Sequence, residues 1–272
     1  MKKYNRGTTV GGSIILLLLL ASAFASSLVT MNPTASDLMN RLKPPNFSHI
    51  LGTDHLGRDV FSRLVHATRL SVGVSVAALS VSIATGLSLG LVAGYFRGVI
   101  DSLLMAVINI LLAFPGMILS LAIVGIAGTG LGNAVFAVCV VSWTGYARVV
   151  RGMTLSLKER DFVKAARISG SSDMKIIARH ILPNLLTTVI VYAATNISSI
   201  AMQLAALSFL GLGAQPPAPE WGIMLNEAKG YISTAPWLIL APGSALVLMI
   251  SAFNLFGEGL ALCLNEGKRV GI

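Results

Sequence analysis

Charge is scarce in this chain: Lys, Arg, Asp and Glu make up only 11% of its 272 residues, against 54% hydrophobic residues. Residues 7–36, 70–96, 102–147, 180–219 and 231–257 contain none of the four charged types. With a mean hydropathy of +0.78, such intervals exclude an ordinary water-soluble domain and indicate a membrane protein. Only two cysteines occur, Cys139 and Cys263, both in or at the end of apolar runs and without C-x-x-C spacing. That excludes a disulfide framework and leaves them as small buried apolar side chains. No G-x-x-x-x-G-K-[ST] loop is available to cradle phosphate, so the chain is not expected to bind or hydrolyse ATP by itself. Neither an H-E-x-x-H motif nor a clustered carboxylate pair is found, which argues against an intramembrane metalloprotease. Carriers driven by protons or sodium keep an ionisable side chain deep in a span; here Glu258 lies only near the end of the last apolar run.

Each uncharged interval exceeds the roughly 20 residues that cross a bilayer as a helix. The third is long enough for two crossings, and Gly128-Thr129-Gly130-Leu131-Gly132-Asn133 reads as the turn between them. Six helical spans follow, near residues 10–28, 71–96, 102–127, 131–150, 185–210 and 236–264. The length of the apolar runs favours helices over barrel strands. Gly86, Gly90 and Gly94 stand four apart on one face of the second span, a pattern of close helix packing. Lys2, Lys3 and Arg6 before an apolar stretch and Ala21-Ser22-Ala23 admit a cleaved leader. The length of the stretch favours an uncleaved first span. With the N-terminus inside, fourteen basic residues fall on the cytoplasmic side and six outside, so both termini are expected in the cytoplasm. The net charge of +9 is thereby accounted for without any nucleic-acid partner.

Against this background, nine charged side chains gather between Ser156 and Leu186. The stretch reads as a helix over 157–169, a break at Gly170-Ser171-Ser172, and a second helix from Asp173 through Pro183 into the fifth span. Phe162, Ala165, Ala166, Ser169 and Gly170 recur on one face. Lys158, Arg160, Asp161, Lys164 and Arg167 surround that face, giving an aromatic knob and a shallow strip inside a charged rim. The surface suits docking into a groove of another protein; an amphipathic helix lying on lipid headgroups is the alternative. At the other side of the membrane, Asp54, Arg58, Asp59 and Arg63 have spacings at which opposite charges pair on a helical turn. They either tie the start of the second span or contact an external protein. Pro216, Pro217 and Pro219 stiffen the connection before Trp221, and Trp221 and Trp237 suit interfacial anchors.

Ala165-Ala166, then Gly170, then Leu182-Pro183 on a loop before the penultimate span resemble the "EAA" loop of the membrane-spanning subunits of ABC importers. Lys164 departs from that pattern, which most often has Glu there. The stretch LGTDHLGRDVFSRLVHATRLSVG, residues 51–73, resembles the G-T-D-x-L-G-R-D segment of the dipeptide, oligopeptide and nickel type of permease, and LSFLGLGAQPPAPEWGIML, residues 207–225, is similar to another segment of that group. In order and in extent the whole resembles the C-type permease of such importers.

The resemblance implies an all-α polytopic protein with the type I importer permease fold. It divides into residues 1–69 (tip, first span and external loop), a core over 70–264 containing the coupling loop 151–183, and a tail over 265–272. Arg160, Asp161, Phe162, Ala165, Ala166 and Gly170 are the implied contacts with an ATPase, and Asp54, Gly57, Arg58 and Asp59 form the external motif. Implied partners are a homologous B-type permease, two ATP-binding subunits, an extracellular or periplasmic binding protein and membrane lipid. ATP and Mg would be used by those subunits, with no cofactor or metal bound here. The implied location is the bacterial inner membrane. HLGRD, the Ala67–Arg69 triplet, EWGIMLNEA and the AFN triplet at residues 252–254 look closer to the nickel and metal-chelate branch than to the peptide branches. His49, His55, His66 and His180 are scattered without metal-site spacing. A secondary carrier, a channel and a purely structural subunit remain the alternatives from the residues alone.

Overall fold

The computed structural model describes residues 2–24, 29 and 31–270, with side chains described over 7–24, 29 and 31–263. The chain is helical: α1 (Lys2–Ala23), α2 (Val60–Phe96), α3 (Gly98–Leu112), α4 (Gly116–Ala127), α5 (Leu131–Lys158), α6 (Asp161–Ile168), α7 (Asp173–Ile176), α8 (Leu182–Phe209), α9 (Trp221–Ala228) and α10 (Trp237–Val270). A π-helical stretch, Ile177–Ile181, joins α7 to α8 without interruption.

Four of these runs are long and apolar enough to cross a membrane: Val60–Phe96, Leu131–Lys158, Asp173–Phe209 and Trp237–Cys263. The expected third span is not one rod. It breaks at residues 113–115 into α3 and α4, whose axes meet at 91°. Pro115 stands at the break because it cannot donate the backbone hydrogen bond that would carry α3 onward, and it disfavours helical geometry in the residue before it. At 1.5 Å per residue neither half is long enough to cross by itself. The expected first span corresponds to a shorter apolar helix, Gly7–Ala23, and its predicted end at 25–28 lies outside the described residues. Four clear spans, one bent pair and the described part of α1 correspond to the six expected spans. Helix α2 runs unbroken across residue 69, and α10 continues past residue 264.

Packing follows the small residues. A Cβ on Gly86 would stand 2.4 Å from the Tyr146 Cβ, on Gly90 2.6 Å from the Ala147 carbonyl oxygen, and on Gly94 2.8 Å from the Thr154 Cβ. The glycine face of α2 therefore lies backbone to backbone on α5. Lipid offers apolar groups no incentive to leave it, so such intimate van der Waals contact is what holds two spans together. Gly86→Leu is expected to separate these helices at a cost of about 1–3 kcal/mol or more, read as a lowered thermal midpoint in detergent. A similar contact seats α1: Gly11 faces the Ala252 carbonyl, and Gly259 faces Thr8.

Three buried clusters succeed one another along the bundle. One end holds Val60, Ala67, Trp221, Met224, Leu238 and Met249. The middle holds Ala78, Val124, Val138, Ile200 and Leu204. The end bearing α6 holds Tyr95, Tyr146, Val163, Ile176, Ile181 and Leu185. Trp221 is fully buried in the first of these, which overturns the expectation of an interfacial anchor. Trp237 is half-buried, and its Nε1 donates to the Thr53 carbonyl at 3.3 Å.

Candidate functional site

Helix α6 begins after a break in the charged stretch. The expected helix over 157–169 is divided: α5 continues to Lys158, Glu159 and Arg160 turn the chain, and α6 occupies Asp161–Ile168. Asp161 in its first turn and Arg167 in its last complement the helix dipole. Val163 is its buried anchor, inserted into the cluster with Ile176 and Ile181, and Ala166 packs half-buried beside it. The opposite side is free. Arg160, Asp161, Phe162, Ala165 and Gly170 are exposed, and so are Ile168 and Met174. All six coupling residues expected from the sequence are brought together, but Ala166 partly faces inward. Ile168 at 89% exposure and Met174 at 76% were not singled out in the sequence; two large apolar residues amid charges were the available signal. The exposed strip is therefore more apolar than a run of alanines implies.

Tyr95 at the end of α2 locks this segment to the bundle. Its hydroxyl accepts from Arg167 Nη2 at 3.1 Å and donates to Asp173 Oδ1. Lys158 Nζ donates to the Tyr95 carbonyl at 2.6 Å, and its ammonium also lies over the ring, 5.0 Å from the centroid. The hydrogen bond to Tyr95 pushes the exposed Arg167 guanidinium above its ordinary value. One aromatic residue thus joins α5, α6 and α7 to the end of α2, a role no sequence spacing announced. Tyr95→Phe keeps the ring but removes both hydroxyl bonds. Hydrogen exchange of the α6 amides is expected to accelerate about tenfold, the equivalent of roughly one hydrogen bond.

At the other end of the bundle, the expected external motif forms a clasp. Asp54 turns the chain by accepting from the Leu56 and Arg58 N–H groups at 2.8 and 3.0 Å. Its second oxygen accepts from Arg58 Nε at 2.6 Å. Gly57 adopts φ +76°, and a Cβ there would stand 1.7 Å from the Asp37 carbonyl oxygen; only glycine fits. Asp59 caps α2 by accepting from the Ser62 N–H at 2.7 Å, and meets His49 Nδ1 at 3.0 Å. The pairing therefore occurs in a turn ahead of the helix rather than along a helical face. Its missing member is Glu227 on α9, which accepts from Arg58 Nη2 at 3.0 Å and Arg63 Nη2 at 2.8 Å. Arg58 and Arg63 are each 1% exposed. Their burial makes the motif a tie between the start of α2 and α9, leaving those two guanidiniums no surface to present. Nearby, Glu220 caps α9 and accepts from Ser71 Oγ at 3.2 Å. Burial pushes its carboxyl above the usual range, opposed by the Gly222 and Ile223 N–H groups.

Between the two ends lies a cavity of about 390 Å3 where α3 breaks into α4, walled by α5 and α8. Its polar lining consists of Ser142, Thr144, Tyr146, Asn196, Ser199 and Gln203.

Comparison with known proteins supplies the family. The family described as "Binding-protein-dependent transport system inner membrane component" matches residues 86–270. The dipeptide transport system permease protein DppC of Alkalihalophilus pseudofirmus is 41% identical over 95% of this chain and 85% of that protein. The glutathione transport system permease protein GsiD of Pectobacterium atrosepticum is 42% identical over 92% and 84%. The nickel transport system permease protein NikC of Escherichia coli K12 is 41% identical over 91% and 89%. Among solved structures, a chain of the MetNI methionine ABC transporter in inward-facing conformations aligns with a TM-score of 0.59 at 19% identity, covering 72% of this chain and 94% of that one.

Proposed function

The chain belongs to the binding-protein-dependent inner membrane component family and is a multi-pass permease of an ABC importer, not its ATPase; from that premise we propose how it works. It pairs with a homologous B-type permease, receives solute from an extracellular binding protein, and is driven by two ATP-binding subunits that use ATP and Mg. The observation that carries the coupling assignment is α6. A short helix exposes Phe162, Ala165 and Ile168 and is pinned from behind by Val163 and Tyr95. An ATPase groove that grips the exposed strip moves the helix as a rigid piece, and the Tyr95 lock passes the displacement to α2. Repacking of the spans then alternates access between the two sides. On this reading the α6 end is cytoplasmic, as are both termini, consistent with the fourteen-to-six distribution of basic residues.

The solute we propose is nickel or a metal chelate; the motifs around residues 55–59 and 220–228 support it. Import of a dipeptide or oligopeptide is the second reading, favoured by relatives named for dipeptide and glutathione transport at equal identity. Uptake of radioactive nickel with the chain present or deleted, with and without excess dipeptide, decides between them. Nickel entry lost on deletion and indifferent to dipeptide is the expected result. Unchanged nickel entry with loss of dipeptide uptake overturns the nickel assignment and leaves the permease role standing.

A further inference from the structure

Most cations at the α6 end of the bundle are matched. Arg97 and Lys164 meet Glu159 at 3.8 and 3.7 Å, Arg151 Nη2 donates to Asp101 Oδ2 at 2.7 Å, and Arg167 meets Asp173 at 3.9 Å. Two are not. Lys175 on α7 and Arg179 in the π-helical stretch are exposed, and among the described residues neither side chain has an ion pair or a hydrogen bond. The nearest carboxylate in sequence, Asp173, is turned to Tyr95 and Arg167.

The unmatched pair stands at the head of an apolar strip. Four residues apart, Lys175 and Arg179 share one face. Two turns beyond Arg179 on that side, Leu186 and Ile190 of α8 are 42% and 54% exposed. The opposite side carries Ile176, Ile181, Leu185 and Val189 into the buried cluster, and the step of five between the first two fits the wider π turn. Arg179 is also the last charge before the uncharged run 180–219. From it to Leu186 the rise is about 10 Å, while the headgroup layer outside the hydrocarbon is about 5–8 Å thick on each side. Long cationic side chains at that height reach the phosphate level while their stems cover apolar surface.

We propose that Lys175, Arg179, Leu186 and Ile190 form a site for an anionic phospholipid of the cytoplasmic leaflet. Its phosphate sits between the two cations, and an acyl chain lies along the two apolar side chains. The order of the features selects this occupant: a negative head directly above a long apolar tail complements two positive charges directly above an apolar strip. Ile176 and Ile181, on the other side of the same turn, hold Val163 of α6. The bound lipid therefore braces the root of α6 against the membrane surface. Of the importer reading, the inference uses only the orientation that puts the α6 end in the cytoplasm.

The test uses the complete importer in vesicles of phosphatidylcholine containing phosphatidylglycerol. Leu186→Cys carries a fluorophore, with Cys139→Ser and Cys263→Ser in this chain and the partner subunits free of cysteine. The quenchers are spin-labelled phosphatidylglycerol and spin-labelled phosphatidylcholine. Phosphatidylglycerol is expected to quench preferentially, and Lys175→Gln and Arg179→Gln should each weaken that preference about fivefold. At about 1 M salt, where charges are screened beyond about 3 Å, it should vanish. Lys175→Arg with Arg179→Lys should preserve it. Equal quenching by the two lipids, or by neither, overturns the site. A preference unchanged in the double glutamine variant, with its ATPase subunits lost on purification, assigns the pair to the ATPase and overturns the site as well. Hydrogen exchange of the α6 amides should be slower in phosphatidylglycerol than in phosphatidylcholine; identical exchange overturns the brace. Labelling of Lys175→Cys by a membrane-impermeant maleimide only from the side opposite the ATPase instead overturns the orientation, and with it the coupling role of α6, a result separate from the lipid preference.

Discussion

Gly170→Pro is expected to abolish coupled uptake, lowering solute moved per ATP hydrolysed by at least about tenfold through loss of the geometry that α6 needs. Gly170 sits at φ +77°, where proline, fixed near −65°, cannot follow. Its N–H donates to the Arg167 carbonyl at 3.0 Å, and the next N–H, of Ser171, donates to Ala166 at 3.1 Å. These bonds end α6 and aim the chain at Ser172 and α7. Proline removes the first and misdirects the second, so the exposed strip loses its orientation while the spans retain their packing. Gly170→Ala is a graded control. An added Cβ meets nothing within 4 Å, which leaves only the left-handed backbone cost of about 1–2 kcal/mol. Its coupling defect should be milder. Ala166→Trp should uncouple by a different route, overfilling the contact with the cluster around Val163. Membrane insertion measured by a reporter fusion should be normal for all three; coupled uptake at the wild-type ratio in Gly170→Pro would sink the docking role of α6.

Glu227→Leu should be the most destabilising single change in the loop end of the bundle, by about 3–5 kcal/mol. The substitution leaves Arg58 and Arg63 buried beside each other with only Asp54 between them. Uncompensated buried charge is penalised far more than the mere loss of a contact. Two observables follow: a lower thermal midpoint in detergent and faster proteolysis within residues 37–59. Glu227→Gln preserves shape but not charge and should fall between. Combining Glu227→Leu with Arg63→Met removes one orphaned charge and should recover part of the loss. A Glu227→Leu protein as stable as wild type would show that solvent reaches the clasp.

The sequence marked the two candidate regions by different signals, and each signal failed at a definable point. On the charged loop, periodicity identified Phe162, Ala165 and Ala166 because a helix repeats its face every three to four residues. It could not say that Val163 would be the buried anchor, since that depends on where Ile176 and Ile181 come to rest. In the external motif, the local pairs were visible and Glu227 was not: it is 169 residues from Arg58, beyond any periodic relation. A weak signal existed, because Glu220 and Glu227 are the only carboxylates between residues 174 and 257, and isolated charges in an apolar chain need partners. The bend at Pro115 was likewise written in a Phe-Pro-Gly triplet, yet an uninterrupted apolar run concealed it.

What the sequence determined by itself is the set of local and compositional facts. Uncharged runs imposed membrane helices, since unpaired backbone polar groups are not tolerated in hydrocarbon. The Gly86, Gly90 and Gly94 stripe imposed a face of close approach, and the motifs marked the family resemblance. The tertiary structure decided which distant groups met. It seated the glycine stripe on Tyr146, Ala147 and Thr154, closed two arginines on Glu227, tied Arg167 and Asp173 through Tyr95, and opened a cavity at a broken span. Those outcomes arise from the simultaneous packing of several helices, where a side chain's partner is set by geometry in space rather than by its neighbours along the chain.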